Sequence, residues 1–197
     1  MRRLKLISGL VAGLFLIPPT LGQQNRNWWV AGEFGEGEFK LHSNQMDSKR
    51  DPAVALGLAG GHRLGNRVRA GMHVNGWLLE AFNINDSSVG QGVTNVMGVI
   101  DTFPLEEWPR FFVRGGLGLT IYSDNRKTEP GGKGLVWEAG AGYEIPLSEQ
   151  FFLAPTAAFA QGYLNDTHNR LGPATGRRFS VAEFKIAVVY HFGQRRE

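Results

Sequence analysis

Long stretches of the chain alternate apolar side chains with glycine, charged or small side chains. In residues 111–122 one parity reads Phe-Val-Gly-Leu-Leu-Ile and the other reads Phe-Arg-Gly-Gly-Thr-Tyr. Residues 135–145 and 184–192 show the same two-sided pattern, with Glu138 and Lys185 on the less apolar parity. Successive side chains of a strand point to opposite faces, so this alternation predicts long two-faced strands. An apolar face backed by a small, polar face is typical of a membrane barrel with lipid outside and polar groups inside.

Extending this pattern along the chain predicts eight strands. They cover residues 28–40, 53–63, 67–79, 93–103, 111–122, 135–146, 150–163 and 179–192. Short turns at 62–66, 104–109 and 146–149 alternate with longer polar connections at 42–52, 83–92, 124–134 and 164–178. An even strand number with short periplasmic turns and longer extracellular loops is typical of outer-membrane barrels. The predicted fold is therefore all-β, a closed antiparallel eight-stranded transmembrane β-barrel of the up-and-down type.

Two predicted strands depart from regular alternation. In the first strand, the charged residues from Glu36 onward continue the apolar parity. This strand either leaves the membrane near Phe34 or contains a glycine bulge that shifts its phase. In the seventh strand, Pro155 lacks the N–H group that a ladder needs, which argues against a regular strand there.

The cost of burying charge in lipid assigns the charged parity to the interior. An Arg or Lys on the lipid face near the bilayer midplane costs about 2–4 kcal/mol, whereas opposite charges inside can pair. We predict an interior network formed by Arg69, His73, Arg114, Glu138, Glu144, Glu183 and Lys185. Eight strands leave an interior just wide enough for side chains. The prediction is a lumen plugged by these side chains, without a general diffusion channel.

The first 22 residues have the features of a secretory signal peptide. Arg2, Arg3 and Lys5 precede an apolar run at 6–17 that is too short for a membrane-spanning helix. We predict a signal peptide at 1–22, a barrel domain at 23–197, and export to the bacterial outer membrane. Three of the 21 Lys and Arg residues, and none of the 18 Asp and Glu residues, lie in the signal. The remaining chain is charge-balanced, which removes the support for nucleic-acid binding.

With these features the chain resembles the small eight-stranded outer-membrane barrels, the family that includes the OmpA transmembrane domain and OmpX. The resemblance lies in the signal peptide, in Arg-Gly-Gly-Leu-Gly-Leu at 114–119, in Glu-Ala-Gly-Ala-Gly-Tyr at 138–143, and in the closing strand. It implies that the outer-membrane assembly machinery recognises the strand from Phe184 to Phe192. In the family the terminal aromatic usually ends the chain, whereas residues 193–197 follow it here.

The residues favour a structural or surface-interaction role over catalysis. Basic residues in the predicted extracellular loops are candidates for contact with lipopolysaccharide or a host surface: Lys49, Arg50, Arg126, Lys127, Arg170, Arg177 and Arg178. We expect no cofactor and no metal, because the chain has no cysteine and its five histidines show no ligand spacing.

Two alternatives stay open at this stage. A soluble periplasmic or secreted ligand-binding barrel would turn the charged parity to water and line a cavity with the apolar parity. A lipid A acyltransferase barrel is suggested by His42 with Asp86 and Ser87, since related palmitoyltransferases use a His and an Asp-Ser pair. Loop His, Asp and Ser residues are also common in turns, so we predict that the protein is not an enzyme.

Overall fold

A computed structural model describes residues 27–44, 51–79, 91–124, 131–169 and 172–192. Its strands are β1 (Trp28–His42), β2 (Asp51–Arg63), β3 (Val68–Leu78), β4 (Gln91–Thr102), β5 (Phe111–Asp124), β6 (Gly132–Tyr143), β7 (Ile145–Pro146), β8 (Phe151–Leu164), β9 (Thr167–Asn169), β10 (Gly172–Ala174) and β11 (Arg178–His191). In these residues there is no helix long and apolar enough to cross a membrane. The predicted signal peptide at 1–22 lies outside the described residues.

The strands form a closed antiparallel barrel in chain order. Neighbouring strands pair with each other, and β11 closes the barrel by pairing with both β1 and β8. Because β6 and β7 lie end to end against β8, they form one of the eight walls. The small β9–β10 hairpin belongs to the connection between β8 and β11. The predicted closed eight-stranded barrel is therefore confirmed.

The strands are staggered around the barrel. A path through directly paired residues starts at Trp29 of β1 and returns to β1 at Phe39, ten residues further along. Its successive positions are Trp29, Gly61, Gly71, Val99, Gly116, Glu138, Ala160, Val181 and Phe39. Stagger is linked to strand tilt, which is typically about 35–45° in closed barrels, and eight strands then enclose a space that side chains fill.

The register of β1 distinguishes the two explanations offered for its charged end, a glycine bulge or a strand that leaves the membrane near Phe34. β1 pairs without interruption with both β2 and β11, so the expected alternative of a glycine bulge is wrong. Glu36 and Glu38 stay on the outer face and are exposed. This arrangement fits the other alternative, in which β1 continues beyond the membrane after Phe34.

β8 is regular at Pro155, so the expectation of an irregular seventh strand is wrong. The ladder between β6 and β8 ends at Gly142 and Thr156, and β7 resumes the same register. The carbonyl group of Pro155 points toward Gly142, so its ring nitrogen faces the same neighbouring strand. Because proline has no N–H to donate, the missing hydrogen bond falls in this gap and divides the predicted sixth strand into β6 and β7.

The two faces of the barrel differ in polarity. Large apolar side chains are exposed on the outer face, including Leu117 with 69% of its surface accessible. The charged parity is buried inside the barrel. This is the reverse of what a soluble ligand-binding barrel requires, so that alternative is wrong.

Candidate functional site in the barrel interior

The barrel interior contains a group of buried titratable side chains, here called the interior network. Its members are Glu33, Arg69, His73, Asp101, Arg114, Glu138, Glu144, Glu183, Lys185 and His191. All seven residues that the sequence predicted for the interior are among them. Three Arg and Lys side chains face five carboxylates, and two histidines supply the remaining basic groups. Buried charges need such partners because removal from water is otherwise expensive.

Asp101 is shared between two arginines on the neighbouring strands. Arg69 of β3, Asp101 of β4 and Arg114 of β5 are direct cross-strand partners. The Nε atom of Arg69 donates to Asp101 Oδ2 at 2.6 Å, and Arg114 Nε donates to Asp101 Oδ1 at 2.8 Å. This row ties three adjacent strands together through one carboxylate.

Arg69 also lies among aromatic rings at the short-turn end of the barrel. Its guanidinium carbon is 4.5 Å from the ring centroid of Trp29 and 5.0 Å from that of Phe112. The Nη1 atom donates a hydrogen bond to Glu144, whose Oε1 also lies 3.5 Å from His191 Nε2. Cation–π contacts of this kind gain strength where water is excluded.

Glu33 links the arginine row to the rest of the interior network. Its Oε1 accepts a hydrogen bond from Arg114 Nη1 at 2.7 Å. Its Oε2 lies 3.1 Å from both Lys185 Nζ and His73 Nε2. Because β1 contributes Glu33, these contacts connect strands from opposite sides of the barrel.

Lys185 lies among three carboxylates. Its Nζ is 2.8 Å from Glu183 Oε1, 3.1 Å from Glu33 Oε2 and 3.8 Å from Glu138 Oε2. The other oxygen of Glu183 accepts a hydrogen bond from Trp77 Nε1 at 2.6 Å. With Lys185 and its partners each almost fully buried, these ion pairs are shielded from solvent.

Buried apolar side chains lie beside the interior network in two clusters. The lower cluster, on the short-turn side, contains Trp29, Ala31, Ala59, Phe103, Phe112, Phe152, Ala154, Ala187 and Val189. The upper cluster, toward the long connections, contains Phe39, Leu41, Ala53, Ala55, Trp77, Leu79, Val93, Met97, Val99, Tyr122, Val136, Ala160, Leu164, Phe179 and Val181. The lower cluster is interleaved with the interior network, because Trp29 is the direct strand partner of His191 and its ring contacts the Arg69 guanidinium.

Sequence reasoning missed three members of the interior network. Glu33 and His191 lie on the inward parity of β1 and β11, so the same alternation contained the signal for both. The inward orientation of Asp101 is harder to predict from the sequence, because both parities of β4 contain valine and a polar residue. The cost of a carboxylate on the lipid face was the available signal for placing Asp101 inside.

The structure describes the side chains of only two of the basic residues proposed for surface contact, and these two differ in exposure. Lys49, Arg50, Arg126, Lys127 and Arg170 lie outside the residues whose side chains are described, whereas Arg178 is exposed. Arg177 requires a correction, because only 1% of its surface is accessible. Its Nη1 donates hydrogen bonds to the carbonyl oxygens of Gly131 and Asn165. These two bonds hold the side chain at the end of the barrel.

The described side chains form no group of three or more His, Asp or Glu residues arranged to hold a metal ion. Ion pairs and hydrogen bonds between strands hold the described side chains of the interior network together.

Comparison with known proteins identifies the fold. No protein-family model matches the sequence, and no curated protein matches it. The structure is similar to Neisserial surface protein A (NspA), with a TM-score of 0.53, 12% identity, and coverage of 84% of this chain and 97% of that chain. It is also similar to Ail, the attachment invasion locus protein of Yersinia pestis, with a TM-score of 0.51, 11% identity, and coverage of 84% and 99%.

Both structures are small outer-membrane barrels, and both are covered almost completely by this chain. The low identities limit the likeness to the fold. Together with the closed register and the apolar outer face, the comparison confirms the resemblance seen in the sequence: the chain has the fold of the small eight-stranded outer-membrane β-barrels of the OmpA and OmpX type.

Proposed function

We propose that the protein is an integral outer-membrane barrel with a sealed lumen, whose role is structural or interactive through its extracellular end. The fold and the apolar outer face support the location in the outer membrane. The observation that carries the proposal is that the interior network and the two apolar clusters are buried together on the inner faces of the strands. The interior of an eight-stranded barrel is just wide enough to be filled by side chains. We assign that filling to these buried residues.

Planar-bilayer recordings test the sealed lumen. The purified protein is expected to give no stable conductance steps, whatever the sign of the applied voltage. A general porin reconstituted in the same bilayers serves as the positive control. Reproducible steps whose frequency increases with the amount of this protein would refute a sealed lumen.

Surface interaction is assigned to the basic extracellular loops. Anionic lipopolysaccharide or a host surface would be attracted by these side chains, and salt would screen the attraction. Replacement of Lys49, Arg50, Arg126, Lys127 and Arg170 by Gln is expected to weaken binding to immobilised lipopolysaccharide severalfold. The matched control replaces Arg67 and Arg110 at the short-turn end by Gln. Unchanged lipopolysaccharide binding in the loop variant would discard this assignment.

We assign to β11, the strand that closes the barrel, the role of being recognised by the outer-membrane assembly machinery. Phe184, Ile186 and Val188 are exposed in alternate positions on the outer face of β11, and Phe192 follows the strand. Phe192→Ala is expected to lower the amount of heat-modifiable protein in the outer membrane. Leu147→Ala, a similarly exposed change outside β11, is the control. Equal membrane levels of the two variants would argue against this role.

The proposal includes no catalytic step. His42 lies at the end of β1, and Asp86 and Ser87 lie outside the described residues. The purified protein is expected to transfer no acyl group from a phospholipid to lipid A. Acyl transfer that is lost in Ser87→Ala would replace the proposal with an enzymatic function.

A further inference from the structure

We propose that the outer wall formed by β8, β11 and β1 thins the outer leaflet of the bilayer beside it, so that water descends along β1. The partner of this surface is the lipid bilayer itself. The observation behind it is Glu36, which is exposed on the outer face of β1 at a height where β5 presents leucine to lipid. The inference rests on the proposed membrane location, and it is independent of the sealed lumen and of the basic loop residues.

Strand register places Glu36 level with the middle of the outer face of β5. A path through directly paired residues runs from Glu36 to Val54, Leu78, Gly92 and Ser123. Such a path gains ten residues in a complete turn of eight strands, so these four steps gain five residues along the barrel axis. The residue of β5 at the height of Glu36 is therefore Gly118, between Leu117 and Leu119. Both leucines are exposed, with 69% and 64% of their surfaces accessible.

The apolar band on β1 is shorter than the band on β5. The outer positions of β5 are Phe111, Val113, Gly115, Leu117, Leu119 and Ile121, and those of β1 before Glu36 are Trp28, Val30, Gly32 and Phe34. A strand rises about 3.3 Å per residue, which is about 2.5 Å along the axis of a barrel whose strands tilt by about 40°. The band from Phe111 to Ile121 is thus about 25 Å tall, as in a complete outer-membrane barrel, whereas the band from Trp28 to Phe34 is about 15 Å tall.

The next two strands share the shortened band. Phe184 of β11 is paired directly with Glu36, and the next outer position of β11 is Ala182. In β8 the outer position that follows Phe159 is Gln161. Large apolar side chains therefore end at nearly the same height on three adjacent strands, β8, β11 and β1.

A tilt of the whole barrel does not account for the difference. A path of direct partners from Trp28 reaches Gly115 after the same four steps, so Trp28 is level with Arg110, next to Phe111. The bands on β1 and β5 thus begin at the same height at the short-turn end. A tilt that brought the upper membrane boundary down at β1 would displace the lower boundary from Trp28 by the same amount. A local change in bilayer thickness matches both ends.

Charge favours a thinned bilayer over a second copy of the chain. Glu36 and Glu38 are exposed on this face, and Lys40 follows them on the same parity. Two copies placed face to face would bring four carboxylates and two lysines into a space without water, which leaves unbalanced negative charge. A thin outer leaflet keeps the same carboxylates hydrated, and bilayers accommodate a short apolar surface by thinning.

Electron paramagnetic resonance of spin-labelled protein in dioleoylphosphatidylcholine vesicles tests the thinning. The chain has no cysteine, so Ala182→Cys and Leu119→Cys each allow a single label. Residue 182 is paired with Glu38, one strand step away, and lies at the height of residue 119. A water-soluble nickel complex reports contact with water, whereas oxygen concentrates in hydrocarbon. The nickel complex is expected to relax the label at residue 182 at least threefold more strongly than the label at residue 119.

Replacement of both carboxylates tests their role. Glu36→Leu with Glu38→Leu extends the apolar band of β1 and is expected to lower the nickel accessibility of the label at residue 182 at least twofold. Glu106→Leu with Glu107→Leu removes two exposed carboxylates from the short-turn end and should leave that label unchanged. Heat-modifiable gel mobility shows whether each variant is folded. The comparison of the two labels in the parent needs neither variant, so it decides the question even if the leucine variant does not fold.

Each other outcome contradicts the inference in a distinct way. Relaxation mainly by oxygen at both labels would mean that the bilayer keeps its full thickness at β11. Weak relaxation by both reagents at residue 182 would mean that a second copy covers this face. An unchanged label in the leucine variant would remove the role assigned to Glu36 and Glu38. Strong relaxation by the nickel complex at both labels would refute the membrane location itself, so failure of the proposed function is distinguishable from failure of the thinning.

Discussion

Arg114 holds Asp101 through two hydrogen bonds, from Nε to Oδ1 at 2.8 Å and from Nη2 to Oδ2 at 3.2 Å, and the two residues are direct partners across β4 and β5. This two-point contact has the geometry in which arginine binds carboxylates most strongly. A slip of one residue between the strands would turn one partner to the lipid face. The contact therefore links the register of the wall to the filling of the lumen.

Removal of the Asp101 carboxylate is expected to destabilise the barrel strongly. Asp101→Asn preserves the shape of the side chain but leaves Arg69 and Arg114 as buried cations with one partner fewer. Breaking a buried ion pair in this way costs about 3–5 kcal/mol. The free energy of unfolding is measured by urea titration of the protein in lipid vesicles, with intrinsic fluorescence as the signal.

Glu106→Gln is the matched control for Asp101→Asn. It removes a carboxylate from the ion pair with Arg67, but both of these side chains are exposed. Exposed pairs contribute about 0–1 kcal/mol. If the two variants lose the same stability, the interior network does not have the energetic role assigned to it.

The contribution of Lys185 to stability is expected to come from its ion pairs with the surrounding carboxylates. Lys185→Met leaves Glu33, Glu138 and Glu183 without their shared cation, so a large loss of stability is expected. Adding Glu183→Gln removes one of these charges, and the glutamine oxygen can still accept the hydrogen bond from Trp77. The double variant should therefore be more stable than Lys185→Met by at least about 1 kcal/mol. The same unfolding titration provides the comparison, and additive losses would show that Lys185 and Glu183 are not coupled.

The sequence was most informative where side-chain polarity alternated cleanly. Apolar and charged parities in β3, β5 and β6 predicted which side chains face inward, because charge in lipid is costly. β4 gave a weaker signal for Asp101, since both of its faces contain apolar residues. The burial of Arg177 depends on the Gly176 turn and on carbonyl groups from two distant segments, which no local pattern encodes.

Glycine on the inner face of β5 is expected to be required for close approach of β4. A Cβ atom at Gly118 would overlap the backbone of Val96 and Met97. Gly118→Ala should therefore lower the free energy of unfolding by about 1–3 kcal/mol, as overpacking does elsewhere. Gly115→Ala, on the outer face of the same strand, is the control, because its Cβ would have no atom within 4 Å. Equal stability of the two variants would contradict the close approach.

The outer face of β5 is expected to lie in the hydrocarbon of the bilayer. Leu117 is in the middle of this face, and Leu117→Arg should lower the free energy of unfolding in lipid vesicles by about 2–4 kcal/mol, the cost of arginine near the midplane. Leu147→Arg is the matched control, because Leu147 is almost as exposed but lies in the turn between β7 and β8. It should change stability by less than about 1 kcal/mol, since water can reach it. A small effect of Leu117→Arg would mean that this face contacts water, and it would overturn the location of the barrel in a membrane.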